Sequence, residues 1–485
     1  MKKIQIDPIT RLEGHGRIDI FINDKQEVEN AYLVIPELRG FERFCEGRRA
    51  ELMPQLTSRI CGVCPVAHHM ASAKALDMAF NVESPKTAHL IRELMYCGYI
   101  IYDHILHFYF LGGPDFVVGP QAPPEERNIF GVIKKAGVDI GKEVIKHRAY
   151  GQKITEIIGG KATHPVVALP GGVTKPMTEQ NCKDIKEMLT SCVQFALKSL
   201  DLFNDIVIKN SDYVDLIKSD AFRLEVNDMG LVDSDGYLNF YDGKVRITDT
   251  KGKTKVEFTA DEYLDVIQEK VVTYSYVKPT YIKDMGWRGF TEGPDSSLYR
   301  VGPLGRLNAA SALRTPKAAK ASDAYFAAFG NKPVHNTLAF HWARLIELLY
   351  ASERGLELVD HPDIMGKDFR TLPNKPGEGM GVVEAARGTL FHHYKVNEEG
   401  LMDKVNLVVA TTNNYAPIAL SIKKAAQAVL KEQDLEDAST EGKLNMVEMA
   451  FRAYDPCFAC ASHSLGQKGY SVHIYDHKGK LRVKI

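Results

Sequence analysis

The sequence predicts a mainly α-helical protein with smaller β regions, an α+β fold built around a bundle of long helices. The chain has 485 residues, of which 45% are hydrophobic, so it can bury a large core. Helical periodicity recurs over several long stretches, and long helices of this kind usually bury one another. Short alternating stretches separated by turn residues predict strands near both ends and in one internal region.

The predicted β regions follow the alternation of apolar and polar residues. An alternating run and a turn at Asp24-Lys25 predict a β-hairpin within residues 1–35. Alternating segments joined by Asp-Gly turns predict a small antiparallel insertion at about 221–258. The tail over 470–485 predicts another hairpin.

The predicted helical core spans about 66–210 and 318–434. Its first helix begins after Cys64-Pro65, and its second begins at Ser84-Pro85, where a serine cap precedes a proline at the first helical position. The second helix is predicted to run to Leu111, and further helical periodicity covers 178–208, 318–358 with a break at 330–333, and 417–431.

Charge and apolar patterning argue against several classes of partner. The 61 basic and 62 acidic side chains give a formal net charge of −1, which gives no reason to expect nucleic acid or a membrane surface as a partner. The sequence shows neither a signal-peptide pattern at its beginning nor an apolar run long enough to span a membrane. These features predict a cytoplasmic protein.

Two Cys-x-x-Cys pairs are the main functional motif of the chain: Cys61 with Cys64, and Cys457 with Cys460. Two such pairs can supply four soft sulfur ligands to one metal centre, and eight cysteines are too few for a disulfide scaffold of this length. On spacing alone, structural zinc is the first interpretation. The remaining cysteines are single, and each is expected to be a small buried apolar residue: Cys45, Cys97, Cys182 and Cys192.

The surroundings of the two pairs argue against a closed zinc site. Zinc modules usually gather their ligands within a short stretch, whereas these pairs lie near opposite ends of the chain. Ionisable residues also flank them, and such residues suit proton chemistry rather than a purely structural ion. They are Arg59, His68, Asp455 and His463.

These residues carry a resemblance to a known family. Arg59-Ile60-Cys61-Gly62-Val63-Cys64 with His68, and Asp455-Pro456-Cys457-Phe458-Ala459-Cys460 with His463, resemble the two signatures of the nickel-iron hydrogenase large subunit. Further segments resemble the family in the same order, so the likeness spans essentially the whole chain: Thr10-Arg11-Leu12-Glu13-Gly14-His15, Arg39-Gly40-Phe41-Glu42, Glu384-Ala385-Ala386-Arg387-Gly388 and Thr411-Thr412-Asn413-Asn414. The family's fold is related to the quinone-site subunit of respiratory complex I.

The resemblance implies a nickel held by four thiolates and an iron that bears carbon monoxide and cyanide. Cys61 and Cys457 are implied to be terminal ligands of nickel, and Cys64 and Cys460 to bridge nickel and iron. Soft thiolates suit a redox-active nickel, whereas a four-thiolate zinc has no open position. The implied reaction is the reversible heterolytic cleavage of H2 into two protons and two electrons.

The resemblance also assigns roles beside the cysteines. Glu13 is implied to be the first proton relay beside Cys457. His68, one helical turn beyond Cys64, is expected to reach back to a bridging sulfur. Arg387 is implied to lie over the open metal position, and two carboxylates are expected to hold it, Asp115 and Asp455. The sequence departs from the family at Ala386, where many members carry proline.

A second ion and a cyanide contact complete the implied site. Thr411 matches a hydroxyl that binds a cyanide ligand. Glu42, the carbonyl of Leu407 and His463 match the ligands of a magnesium-type ion. From the residues alone, a surface glutamate and a histidine in a terminal turn remain the alternatives.

The residues after His463 indicate a precursor. In this family an endopeptidase commonly cleaves after that histidine once nickel has been inserted, which leaves 464–485 as a removable extension and 1–463 as the large subunit. The maturation endopeptidase and nickel-insertion proteins are therefore implied partners.

The chain has no motif for an iron-sulfur wire of its own, so electrons are expected to leave through an iron-sulfur small subunit. Segments such as Pro65-Val66-Ala67-His68-His69 resemble the cytoplasmic methyl-viologen-reducing, F420-non-reducing group linked to heterodisulfide reductase. The implied acceptors are viologen-type compounds, heterodisulfide reductase or ferredoxin. NAD-linked bidirectional enzymes with a flavoprotein module are the nearest alternative, but the chain has no glycine-rich dinucleotide fingerprint. The other rivals are a structural zinc protein and the complex I subunit, which lacks the cysteines.

Overall fold

Helices form the centre of the protein, and small sheets lie around them. The structure is a computed structural model that describes residues 2–25, 27–430, 440–463, 473–475 and 481–484. The helices are α1 (Phe41–Cys45), α2 (Met53–Thr57), α3 (Pro65–Ala79), α4 (Lys86–Leu106), α5 (Pro114–Val117), α6 (Ile129–Ala136), α7 (Val138–Gly159), α8 (Glu179–Phe203), α9 (Ser211–Lys218), α10 (Tyr263–Val266), α11 (Pro303–Ala309), α12 (Pro316–Ala328), α13 (Phe340–Val359), α14 (Ala410–Val429), α15 (Thr440–Arg452) and α16 (Phe458–Ala461).

The sheets are small, and most of their pairing is antiparallel. Their strands are β1 (Lys2–Ile6), β2 (Arg17–Ile22), β3 (Val28–Val34), β4 (Ala168–Leu169), β5 (Gly172–Val173), β6 (Asn227–Val232), β7 (Lys244–Thr248), β8 (Thr254–Phe258), β9 (Ile267–Glu269), β10 (Thr280–Ile282), β11 (Tyr299–Arg300), β12 (Glu378–Ala385), β13 (Gly388–Val396), β14 (Met402–Val408), β15 (His473–Tyr475) and β16 (Leu481–Lys484). The largest sheets have the strand orders β1-β2-β3, β12-β13-β14 and β11-β6-β7-β8, and of these strands only β11 pairs with its neighbour in parallel.

The long helices pack against one another as predicted. Helix α4 lies between α7 and α13, and α8 packs against α13 and α7. Nearly every residue of α4 from Leu90 to Ile105 is buried, because its neighbours cover it on several sides. The predicted α+β fold with a helical core is confirmed, and no helix in the described ranges is long and apolar enough to cross a membrane.

Several elements differ from the sequence-based expectation. The helix predicted to begin at Pro417 begins at Ala410, and the proline lies inside it. The side chains of Asn413 and Asn414 bind backbone groups of distant segments, and this tertiary pairing extends the helix toward its N-terminus. Helix α7 and the sheet β12-β13-β14 were not predicted as separate elements.

The predicted β-hairpin at the N-terminus gains a third strand. Strands β1, β2 and β3 form one antiparallel sheet, in which β2 is central. The predicted insertion is present as β6, β7 and β8, and β11 adds to its edge. In the tail, β15 and β16 pair antiparallel as the hairpin prediction requires, while residues 464–472 lie outside the described residues.

A buried arginine joins three of these elements. Arg306 on α11 binds Glu347 on α13 at 2.6 Å and Glu384 on β12 at 2.8 Å, and all three side chains are fully buried. Its guanidinium also donates to the carbonyls of Ala385 at 2.7 Å and Ala386 at 3.1 Å. Buried charges persist only when they are paired, so this arginine fixes the backbone that precedes Arg387.

We expect Arg306→Met to destabilise the protein by ~3–5 kcal/mol, because two buried carboxylates lose their shared cation. The matched control is Arg314→Met, since Arg314 also pairs with two carboxylates but is 41% exposed. That substitution should cost no more than about 1 kcal/mol. Thermal and urea unfolding of the variants measure the difference, and equal losses of stability would contradict the buried network.

Candidate metal centre

Four cysteines from opposite ends of the chain meet in one buried cluster. The sulfur atoms of Cys61, Cys64, Cys457 and Cys460 all lie within 4.8 Å of one another. Cys64 Sγ lies 3.4 Å from Cys460 Sγ, and Cys457 Sγ lies 3.5 Å from Cys61 Sγ. Four converging soft ligands in a buried position fit a thiophilic metal such as nickel.

Each pair is placed at the beginning of a helix. Cys64 precedes Pro65 at the first position of α3, and Cys457 precedes α16. The backbone N–H of Val63 points to Cys61 Sγ at 3.2 Å, so the turn that starts α3 favours a negative sulfur. Asp455 adopts φ +55°, a left-handed turn that directs the chain into the second pair.

Glu13 lies directly beside the cluster, as the sequence predicted. Its Oε2 atom is 2.8 Å from Cys457 Sγ, and it accepts a hydrogen bond from the backbone N–H of Ala459 at 3.1 Å. Burial raises the pKa of Glu13 above its ordinary value, and the charge of Cys61 raises it further. Glu13 also lines a cavity of about 600 Å³ together with Arg39 and Arg59. The carboxylate of Glu13 therefore contacts both the sulfur cluster and this cavity.

Arg387 is buried and paired on two sides. Its guanidinium donates to Asp103 and to Asp455, each at 3.1 Å. Burial opposes the charge, but the carboxylates of Asp103 and Asp455 raise the pKa of Arg387 well above its ordinary value. The guanidinium is therefore a fixed positive charge.

Asp115 does not hold Arg387, so that prediction was wrong. Asp115 instead binds Arg11 and Arg452, and it also accepts from Asn445 at 3.1 Å. A π-helical segment, His107–Gly112, joins α4 to α5, and Asp115 in the first turn of α5 meets Arg452 at the end of α15. The residue that pairs with Arg387 beside Asp455 is Asp103, from within α4.

Thr411 and His68 also lie against the cysteines. Thr411 Oγ1 accepts a hydrogen bond from the backbone N–H of Cys457 at 2.9 Å. His68 Nε2 lies 3.4 Å from Cys460 Sγ. The ring thus contacts the second cysteine pair, although His68 is close in sequence to Cys64 of the first pair. Both side chains are buried, so each has a fixed place beside the sulfur cluster.

The three residues assigned to a second ion come together as predicted. His463 Nε2 lies 2.6 Å from the carbonyl oxygen of Leu407 and 3.5 Å from Glu42 Oε1. Glu42 Oε1 also accepts from the backbone N–H of Leu407 at 2.8 Å. A carboxylate, a carbonyl and an imidazole in one place suit a small divalent ion.

The sequence reasoning missed four residues that complete the site. Asp103 pairs with Arg387, Arg306 holds the two carbonyls before it, and the Tyr99 hydroxyl accepts the N–H of Ala386 at 2.9 Å. The fourth, His392, lies 3.1 Å from His68. Asp103 and His104 are the only charged or ionisable polar residues besides tyrosine and cysteine in the stretch 94–106 of α4, and this was a detectable signal, because such groups are buried only with partners.

Comparison with known proteins identifies the family. A family model described as nickel-dependent hydrogenase matches residues 39–123 and 143–463, and one described as HoxL-like matches 3–38. The chain belongs to the nickel-dependent hydrogenase family. It is the catalytic large subunit of a nickel-iron hydrogenase, an oxidoreductase that acts on H2, and the four cysteines would hold its nickel-iron centre. The structural zinc interpretation is therefore wrong.

The most similar relatives include hydrogenase subunits from archaea. The chain is 47% identical to an F420-non-reducing hydrogenase iron-sulfur subunit of Archaeoglobus profundus, over 99% of both chains. It is 38% identical to an F420-non-reducing hydrogenase subunit of Methanothermobacter marburgensis, over 100% of both chains. It is 36% identical to the NAD-reducing hydrogenase HoxS subunit beta of Cupriavidus necator, over 99% of this chain and 98% of that one.

Solved structures give the same fold. A chain of an NAD+-reducing [NiFe]-hydrogenase in the H2-reduced state superposes with a TM-score of 0.88 and 34% identity, over 96% of this chain and 100% of that one. A Ni-Fe-Se hydrogenase chain from D. vulgaris Hildenborough superposes with a TM-score of 0.76 and 26% identity, over 95% and 100%. The prediction of a nickel-iron hydrogenase large subunit is thereby confirmed.

The corrected pairing of Arg387 predicts different results for two similar substitutions. Asp103→Asn should lower H2 turnover per bound nickel by ~10–100-fold, because a group that orients the site is lost. Asp115→Asn should leave turnover per nickel unchanged but cost ~3–5 kcal/mol of stability, because Arg11 and Arg452 lose a shared carboxylate. Activity, nickel content and thermal unfolding measured on both variants test this, and the reverse pattern would contradict the observed pairing.

Proposed function

We propose that this chain is the H2-cleaving subunit of an F420-non-reducing type of hydrogenase. The observation that carries the proposal is the buried four-cysteine cluster, with Glu13 in contact with Cys457 and Arg387 held nearby by Asp103 and Asp455. The two F420-non-reducing relatives, at 47% and 38% identity, are more similar to the chain than the NAD-reducing relative at 36%.

Different side chains have different roles around the metals. When bound, a nickel-iron centre with carbon monoxide and cyanide on iron supplies the redox site at which H2 is polarised. Cys457 then holds a proton on its sulfur, and Glu13 takes it over the 2.8 Å contact and releases it toward the cavity. Arg387 stays protonated and orients the reacting region by its charge. Thr411 Oγ1 accepts from the backbone N–H of Cys457, and its O–H would donate to a cyanide of the bound centre.

Electrons leave through partner subunits. We infer an iron-sulfur small subunit, because the relatives are named as subunits of larger enzymes and this chain has no further cysteine cluster within its described residues. Heterodisulfide reductase is the proposed next acceptor, with a flavoprotein module for NAD as the alternative that the NAD-reducing relatives suggest. Measuring H2 oxidation with heterodisulfide reductase and with NAD as the electron acceptor distinguishes these two proposals.

The cytoplasmic location of the protein stays a prediction.

Metal analysis and infrared spectroscopy test the proposed centre. We expect nickel and iron in the purified complex, with infrared bands of metal-bound carbon monoxide and cyanide in a region where protein does not absorb. Zinc in place of nickel, or active metal-loaded protein without these bands, would refute the proposal.

Cys457→Ser should lose nickel, whereas Cys192→Ser should keep it, because Cys192 is buried away from the cluster on α8.

Glu13→Gln should lower H2 turnover by ~10²–10⁴-fold, because the amide keeps the shape of the side chain but cannot accept and release a proton. Nickel and iron contents should stay at the level of the unmodified protein. Glu29→Gln is the matched control, since Glu29 lies exposed on β3 and should leave activity unchanged. Full turnover in the Glu13 variant would exclude the relay.

We propose further that the mature subunit ends at His463, which then serves the second ion together with Glu42 and Leu407. The contact of His463 with both groups supports this, whereas residues 464–472 lie outside the described residues. Intact mass of the active enzyme should correspond to removal of 464–485. Active, nickel-loaded protein that retains these residues would contradict the proposal.

Glu42→Gln should lose magnesium but keep nickel, because Glu42 is assigned to the second ion only, and metal analysis of the variant measures both.

A further inference from the structure

Two buried side chains bind the end of α15, directly before the second cysteine pair. Helix α15 ends at Arg452, and the chain reaches Cys457 after a short turn. The last carbonyl groups of a helix have no partner within the helix, so they need donors from elsewhere. His107 Nε2 lies 2.8 Å from the carbonyl oxygen of Arg452, and the guanidinium of Arg344 donates to the carbonyl oxygen of Ala453 at 3.0 Å.

The donor and acceptor in each of these contacts are fixed by the groups themselves. A carbonyl oxygen can only accept, so His107 donates through a proton on Nε2, and a guanidinium can only donate. The carbonyl oxygen of Arg452 also accepts from the backbone N–H of Asp455 at 3.0 Å. The end of a helix carries a partial negative charge, so the cationic Arg344 stabilises it.

Arg344 differs from the other fully buried arginines in its lack of an ion pair. No carboxylate in the described ranges lies within 4.0 Å of its guanidinium, whereas each of the others has such a partner: Arg92, Arg300, Arg306 and Arg452. Burial lowers the pKa of Arg344 to about 10, and the charge of Asp455 opposes this shift, so the side chain is charged at neutral pH. A buried charge needs compensation, which the end of α15 and Asp455 supply.

Close packing holds the ring of His107 in place. His107 begins the π-helical segment His107–Gly112, and its ring stacks on that of His341 with the centroids 5.6 Å apart. A Cβ atom on Gly112 would clash with the ring of His341 and lie 3.0 Å from Cε1 of His107, so this close approach requires glycine. His341 precedes Arg344 by about one turn of α13, so the two donors belong to one packed layer.

The turn after α15 carries Asp455, the partner of Arg387. Asp455 adopts φ +55°, and its Oδ1 atom accepts from Arg387 at 3.1 Å. The next residue, Pro456, has no backbone N–H, and the N–H of Cys457 binds Thr411. The backbone before Asp455 is therefore held through the carbonyl groups that His107 and Arg344 bind.

We propose that His107 and Arg344 are positioning residues for H2 turnover, because they bind the end of α15 and thereby hold Asp455 in place against Arg387. The inference rests on the proposed function, since it takes Arg387 to orient the reacting region of the nickel-iron centre. Within the described residues neither side chain has a hydrogen bond to a cysteine, so both act through the turn.

Two similar substitutions of His107 test the inference. In His107→Gln the amide N–H takes the place of Nε2–H, whereas the shorter side chain in His107→Asn does not reach the carbonyl of Arg452. We expect the asparagine variant to lose ~10-fold in H2 turnover per bound nickel, because Asp455 and Arg387 move. Its infrared bands of metal-bound carbon monoxide and cyanide should shift. The glutamine variant should keep the turnover and the bands of the unmodified complex.

Arg344→Met should also lower turnover per nickel and shift the infrared bands, because it releases the same turn. The bands come only from assembled centres, so variants with a lower nickel content can still be compared. Equal turnover and equal bands in His107→Gln and His107→Asn would overturn the inference. Unchanged turnover and bands in nickel-loaded Arg344→Met would overturn it as well.

The matched control is the same pair of substitutions at His335. This ring is 5% exposed, its Nε2 lies 2.9 Å from the carbonyl oxygen of Thr250, and its Nδ1, like that of His107, has no partner among the described residues. His335→Asn should lower the temperature of thermal unfolding but leave turnover per nickel and the bands unchanged. Shifted bands in this control would overturn the inference and leave the proposed function standing. An unmodified complex without these bands would instead refute the proposed function and the inference with it.

Discussion

The protein depends on bringing four cysteine sulfurs from its two ends into one buried cluster. Four thiolates within 4.8 Å of one another repel, and their burial removes the water that would stabilise them, so a bound cation must offset both costs. The backbone shares in the constraint, because Glu13 pairs with Cys457 in a short parallel bridge. Metal binding and the docking of the two chain ends are therefore linked.

Buried arginines hold the surroundings of this cluster. Arg387 and Arg306 each bind two carboxylates from other elements, and unpaired buried charge is costly enough to fix those elements in place. Arg306 also binds the two carbonyls directly before Arg387. The network around Arg306 thus positions Arg387, and the N–H of Ala386, which proline would lack, is bound by Tyr99.

The cluster has two different sides. Glu13 connects Cys457 to a cavity of about 600 Å³, which suits the exchange of protons. The rings of His68 and His392 close the side of Cys460, and both are buried. One cysteine of the second pair therefore contacts a carboxylate and the other a buried histidine, although only two residues separate them.

The sequence by itself determined the two cysteine pairs and the helical core, because ligand type and periodicity are local properties of the chain. Its resemblance to the hydrogenase family implied the places of Glu13, Arg387 and Asp455. Tertiary structure alone decided that Asp103 rather than Asp115 pairs with Arg387, that α14 begins at Ala410, and that His392 lies behind His68. The physical reason is the same in each case. A buried charge or polar group takes the partner that packing brings near it, and separation along the chain carries no information about that choice.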